Sequence, residues 1–374
     1  MKQELELKTM KEIDIEALAS MYDEDSKDLY VSLFIDVTKD SRRFFDKRSE
    51  DIKRALKPQK ELFNNFVETI EMLKENLGYE PPKGARSLVL FASKAHNYFE
   101  GFYLPLPVED LMVVDTSPYI RDLSLLKDEY QDYMLAVVDS EHFKVYCVSS
   151  TTIICEEHRE TDLIGKHKKG GWSQKRFARL RREGVDKFMK LSSEDLKELY
   201  DNEKYSGIVV AGPGIEKSNF VKQLPQELRE KVVSEIDVSF DTSVTSLIDK
   251  SAAIMQEMED AEEMQLVELL REGIIKGNPV IYGLEETLEA VKNARASILL
   301  VDMGYKVPGY ICENCQLVEK GQLKKCSVCG GVTSDVDVVE EIIEFAHRVD
   351  TKVEFVKGND FLKSLGGIGA LLRY

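Results

Sequence analysis

The sequence predicts a mixed α/β chain of three domains, and three observations predict it. Runs of β-formers such as Tyr133-Met134-Leu135-Ala136-Val137-Val138 and Ile208-Val209-Val210-Ala211-Gly212 alternate with segments of helical period, which argues for sheets with helices packed against them. The length, 374 residues, exceeds one ordinary core and suffices for two or three. Two Cys-x-x-Cys pairs in the last third mark a small cysteine-stapled insertion there.

The N-terminal α/β domain is expected over residues 1–131. After a helical opening, Leu29 to Val37 alternates and is rich in β-formers, as a strand requires. Asp40 to Asn76 holds one long amphipathic pattern, with Leu56, Leu62, Phe63, Phe66, Val67, Ile70, Met72 and Leu73 at helical spacing. Pro81-Pro82-Lys83-Gly84 ends it and leads into the apolar run Ser87 to Phe91. A central domain is expected over residues 132–255. It opens with three strands, Tyr133 to Asp139, Phe143 to Val148 and Thr151 to Glu156, and continues with a helix from Ser173 towards Leu191, the strand Ile208 to Gly212 and a helix carrying Leu224 and Leu228. The C-terminal domain is expected over residues 256–374, entered through an acidic helical connector from Gln256 to Gly273. It holds a helix from Tyr282 to Arg295, strands Ala296 to Asp302 and Lys352 to Val356, and a helix from Asp337 to Val349.

Hydrophobic content of 43% with 32% charged residues fits a well-packed soluble protein. The stretch from Met1 to Met21 lacks the apolar core of a signal peptide, and no run approaches the ~18 apolar residues of a membrane span, so a cytoplasmic location is expected. Of six cysteines, Cys147 and Cys155 stand outside the two pairs, in strand-like text, and are expected as small apolar fillers.

The net charge is −17, yet from Lys166 to Arg182 there are eight lysines and arginines and no carboxylate, around Gly170-Gly171-Trp172-Ser173-Gln174. Clustered cations in an acidic chain suit a polyanion, because phosphates reward them through counterion release. The plainer alternative is a solvated basic helix behind a glycine turn. Adjacent glycines let backbone lie close against a target, and Gln174 brings an amide that both donates and accepts. Lys166, His167, Lys168, Lys169, Lys175, Arg176 and Arg179 are the candidate contacts to such a polyanion. Trp172, the only tryptophan, is placed to stack on an unpaired base, worth ~1–3 kcal/mol.

Cys312-x2-Cys315 and Cys326-x2-Cys329, ten residues apart, supply four thiolates that two tight turns bring to the corners of a tetrahedron, the geometry of structural zinc. A redox role explains one pair and not two. Four protein ligands leave no open position for substrate, so the zinc would stiffen the insertion and take no part in catalysis.

Four passages together resemble one family: Gly170 to Arg181, Ile208 to Gly212, Tyr282-Gly283-Leu284-Glu285-Glu286-Thr287-Leu288, and the terminal Gly366-Gly367-Ile368-Gly369-Ala370-Leu371-Leu372-Arg373-Tyr374. They resemble the class-I peptide-chain release factors of the archaeal and eukaryotic type, well from about residue 132 onward and in outline before it. The resemblance implies a three-domain release-factor-like architecture with a zinc-ribbon insertion in the third domain. It also implies a Gly-Gly-Gln loop that enters the ribosomal peptidyl transferase centre, and an Arg-Phe-x-Arg-Leu-Arg helix that supports the loop on ribosomal RNA. Gly170 and Gly171 match the two glycines, and Arg176, Phe177, Arg179, Leu180 and Arg181 match the helix.

The third motif position is Trp172, and the nearby glutamine is Gln174, two places later. A Gly-x-x-Gln arrangement, Gly171 to Gln174, is similar to that of ribosome-rescue and quality-control relatives that cleave peptidyl-tRNA. Neither Asn-Ile-Lys-Ser nor a Tyr-x-Cys-x-x-x-Phe string occurs in the first domain, where stop-codon readers carry them. The resemblance therefore implies a paralogue that hydrolyses peptidyl-tRNA in rescue or quality control, with Gly170, Gly171 and Gln174 as the catalytic set. A non-catalytic hibernation or protection factor is the alternative, and stop-codon termination stands third. A translational GTPase of the elongation-factor type is implied as delivery partner.

Overall fold

A computed structural model of the chain describes residues 5–21, 30–77, 80–160, 172–202, 204–312 and 314–374, without the side chains of residues 172–175, 177 and 178. The chain divides into two compact units, one of residues 1–129 with 260–374 and one of residues 130–259. It is mixed α/β throughout.

The first unit begins with α1 (Ile15–Ala19), β1 (Tyr30–Asp36), α2 (Arg42–Leu56), α3 (Lys60–Asn76), β2 (Ser87–Ser93), β3 (Tyr98–Leu104), β4 (Leu111–Asp115) and α4 (Arg121–Glu129). The single amphipathic pattern expected from Asp40 to Asn76 is two helices, α2 and α3, broken over residues 57–59. Pro58 lacks the backbone N–H that a continuous helix needs there. The strands form an antiparallel sheet in the order β3-β2-β1-β4. Phe45 and Ile52 of α2 and Phe66, Ile70 and Leu73 of α3 bury one face of it, against Val31, Leu33 and Leu90.

The second unit contains β5 (Asp132–Val138), β6 (His142–Ser149), β7 (Thr152–Glu160), α5 (Trp172–Leu199), β8 (Ile208–Gly212), α6 (Glu216–Gln223), α7 (Gln226–Arg229), β9 (Val232–Asp237) and the start of α8 (Val244–Lys276). Its sheet runs β7-β6-β5-β8-β9, with β5, β8 and β9 parallel, β6 antiparallel to β5, and β7 antiparallel to β6. Because side chains alternate along a strand, Met134, Ala136 and Val138 pack with Phe188, Met189 and Leu196 of α5 and Phe220 of α6. Tyr133, Leu135 and Val137 face the other way, onto Leu247, Ile248 and Met255 of α8. Both faces are covered, which is why these strands read as unbroken apolar runs.

The acidic connector expected from Gln256 is the later part of α8, whose Val267 and Leu270 join the first unit's core beside Leu300. There follow β10 (Val280–Tyr282), α9 (Leu284–Lys292), β11 (Ala296–Asp302), β12 (Pro308–Cys312), β13 (Val318–Lys320), β14 (Thr333–Asp337), α10 (Val338–Arg348), β15 (Lys352–Val356), α11 (Asp360–Ser364) and β16 (Ile368–Leu372). They build a sheet in the order β10-β16-β11-β15 and an antiparallel ribbon, β13-β12-β14. The terminal Gly366-Gly367 pair has φ of 97° and 78°, left-handed backbone that glycine adopts without strain, and a Cβ on Gly367 would lie 2.8 Å from the Tyr305 ring. The turn it makes delivers β16 between β10 and β11.

Within the first unit, α4 belongs as much to the C-terminal part of the chain as to the N-terminal part. Arg121, 5% exposed, donates to Asp337 Oδ2 at 2.7 Å and to the Tyr305 carbonyl at 2.8 Å. Ser117 Oγ donates to Glu344 Oε1 at 3.0 Å, and Ser124 Oγ lies 2.7 Å from His347 Nε2. Helix α1 packs on α10 as well.

Candidate functional site

Strand β7 ends at Glu160 and α5 starts at Trp172. Lys166, His167, Lys168, Lys169, Gly170 and Gly171 lie between them, outside the described residues. Trp172, Gln174 and Lys175 occupy the first turn of α5, and their side chains are likewise outside the description. The first turn has no acidic residue. Cations here are unfavourable to the helix itself, whose N-terminus is already partly positive, and become favourable when an anion is bound.

Arg176, Arg179 and Arg182 follow at three-residue spacing and are exposed. Arg179 pairs with Glu183 on the same helix at 3.5 Å. Arg181 points elsewhere, donating from Nη2 to Glu141 Oε1 at 2.9 Å. On the other flank, Arg159 near the end of β7 makes a two-pronged ion pair with Asp195 on α5. The sequence reading missed both Glu141 and Asp195. Nothing in their spacing announces them, since each meets its partner across the sheet-helix packing.

Cys312, Cys315, Cys326 and Cys329 are brought together, their sulfurs all within 4.8 Å of one another. Cys312 and Cys329 Sγ are 3.4 Å apart, and Cys315 and Cys326 Sγ 3.6 Å. Tetrahedral thiolates at ~2.3 Å from a metal stand about 3.8 Å from one another, so the set fits one such ion. Two turns shape it. Gln316 N–H donates to the Cys312 carbonyl at 2.8 Å, Gly330 N–H donates to the Cys326 carbonyl at 3.0 Å, and Val328 N–H points at Cys326 Sγ from 3.3 Å. A Cβ on Gly331 would lie 3.2 Å from Cys329 Sγ and 3.4 Å from Cys312 Sγ, so glycine leaves the sulfurs their room. The Asn314 side chain, followed by the Gly331 N–H, holds the Cys329 thiol down to about 6.

Cys147 and Cys155 are not separate fillers. They face each other across β6 and β7 and are joined as a disulfide. The turn is closed by Ser149 and Thr152, and a register shift beside Cys147 brings it opposite Cys155, which strand-like text alone does not reveal.

A family model described as bacterial archaeo-eukaryotic release factor family 10 matches residues 118–262, and one described as eRF1 domain 3 matches residues 260–374. The chain belongs to the archaeal and eukaryotic type of peptide-chain release factor family, as a paralogue. This member is similar to proteins named peptide chain release factor subunit 1. That of Thermococcus sibiricus is 28% identical over 287 residues, 68% of each chain, and that of Thermococcus kodakarensis 29% over 286 residues, again 68% of each. The protein from Methanosphaera stadtmanae is 25% identical over 349 residues, 84% of this chain and 85% of its own. Among the described residues no helix is long and apolar enough to cross a membrane.

Proposed function

We propose that this release-factor paralogue works at the ribosome in rescue or quality control, promoting hydrolysis of the ester that joins nascent peptide to tRNA. The observation that carries the proposal is a Gly-Gly-x-x-Gln stretch, Gly170 to Gln174, running directly into an arginine-lined helix in a member of a release-factor family. In this account Gly170 and Gly171 shape the loop, and Gln174 orients the attacking water or stabilises the departing ribose hydroxyl. Lys166, His167, Lys168, Lys169, Lys175, Arg176 and Arg179 hold RNA phosphates, and Trp172 stacks. The protein supplies positioning and electrostatics inside a ribosomal pocket and is inert by itself. Zinc held by the four cysteines is structural, and a translational GTPase of the elongation-factor type delivers the chain.

One observation favours a second assignment. Trp172 occupies the family's third motif position, as it would in a non-catalytic factor that occupies and protects idle ribosomes. Stop-codon termination has less support, because both decoding strings are missing. Release of labelled peptide from ribosomes with stop-codon, sense-codon and empty A sites separates the three. Release without regard to codon supports rescue. Binding without release under all three conditions supports protection, and release confined to stop codons supports termination.

A further inference from the structure

Helix α5 is anchored unevenly. Its later half is fixed by Phe188, Met189 and Leu196 in the sheet core, whereas no described residue from Arg176 to Lys187 is buried. Between the two halves stands Gly184, a residue that weakens a helix interior by about 1 kcal/mol relative to alanine. The arginines proposed to meet RNA therefore lie beyond a weak point. Among the described residues of that stretch, one hydrogen-bonded ion pair reaches another element, Arg181 to Glu141 at 2.9 Å.

Glu141 is offered from a braced support. Asp139 Oδ1 accepts from the N–H groups of Glu141 and His142, both at 2.7 Å, and the Asp139 N–H donates to the His142 carbonyl at 3.0 Å. The His142 ring stacks on Phe240 with centroids 4.9 Å apart, and Lys144 Nζ sits over the same ring. A carboxylate on so constrained a turn can fix the direction of what it holds.

We infer that Glu141 is a positioning residue, clasping Arg181 so that the arginine-bearing half of α5 leaves the sheet at one defined angle. The inference deepens the proposed function and rests on it for its purpose, since the angle decides where Arg176, Arg179 and the first turn of α5 meet RNA. The clasp itself exists or fails without a ribosome.

The chain's single tryptophan, Trp172, lies nine residues before Arg181 and reports on this half of the helix in the otherwise unaltered protein. In Glu141→Ala, time-resolved anisotropy of Trp172 gains amplitude of slow motion, the clasped population falling about two- to fivefold, the range an exposed ion pair commands. The urea midpoint of the second unit stays within error. Glu141→Arg combined with Arg181→Glu restores the decay, and Gly184→Ala added to Glu141→Ala restores part of it. On ribosomes Glu141→Ala lowers the rate of peptide release while half-saturating concentration is kept. An unchanged anisotropy decay in Glu141→Ala, or failure of the charge exchange to restore it, overturns the clasp. A wild-type chain inactive on ribosomes overturns the proposed function and leaves the clasp standing.

Discussion

Replacing Arg121 by methionine tests what joins residues 1–129 to residues 260–374. Arg121 is 5% exposed, and its guanidinium makes two hydrogen bonds, to Asp337 Oδ2 at 2.7 Å and to the Tyr305 carbonyl at 2.8 Å. Removing one partner of a buried pair costs about 3–5 kcal/mol, mostly because the other charge is stranded. Asp337 is less stranded than most. Its side chain is 18% exposed, and its Oδ1 still accepts from Val307 N–H at 2.9 Å and Val339 N–H at 3.1 Å, the latter capping α10. Methionine also keeps much of the packing volume. The lower end of the range, about 3 kcal/mol, is therefore expected for the first unit. Equilibrium urea unfolding of the full chain, with hydrogen exchange at the Val339 amide, measures it. The amides of β5 and β8 in the second unit serve as an internal control and should keep their protection. A loss below about 1 kcal/mol would mean that the pair is no more than a surface contact.

Three further outcomes are expected. Burial pushes Glu344 up to about 8 against the opposing pull of Arg348, whereas burial draws His347 down to about 4. Stability due to protonated Glu344 is complete below its usual 4.5 and is lost as pH rises towards 8, and that due to neutral His347 is lost as pH falls from 6.5 to 4. Between pH 6.5 and 8 the first unit should therefore lose up to about 1.4 kcal/mol per pH unit, and Glu344→Gln should flatten that slope in urea titrations. Chelation, or Cys326→Ser, should raise hydrogen exchange across β12, β13 and β14 and leave the second unit's protection unchanged; metal analysis finding no zinc in the purified chain would defeat the zinc assignment. Charge reversal of Arg176 and Arg179 should weaken ribosome binding and reduce the slope of log affinity against log salt by about 2. A slope identical to wild type would remove both arginines from the RNA contact.

What the sequence made legible follows from what local patterns encode. Tyr133 to Val138 and Ile208 to Gly212 are covered on both faces, so their apolar runs had one structural meaning, and both are strands. The two Cys-x-x-Cys pairs carried their geometry in their spacing, and the four sulfurs do converge. The apolar spacing from Asp40 to Asn76 continues across Pro58 while the helical backbone cannot, so one sequence pattern folds as two helices. Strands β3 and β4 carry little local signal, since Tyr98 to Phe102 and Leu111 to Asp115 are largely half-buried and read as mixed text. The joining of residues 1–129 to 260–374 through Arg121, Ser117 and Ser124 depends on partners more than 180 residues away, which no local pattern reports. The candidate loop was legible only as composition and resemblance, and Glu141 became visible only with the fold.

The most direct test is single-turnover release of peptide from ribosome-bound peptidyl-tRNA by wild type and by Gln174→Ala. A fall of ~10²-fold or more in the rate, with ribosome binding retained, is predicted, the scale on which loss of one oriented polar group acts at a reaction centre. Equal release by the two proteins would contradict the assignment of the hydrolytic role to Gln174.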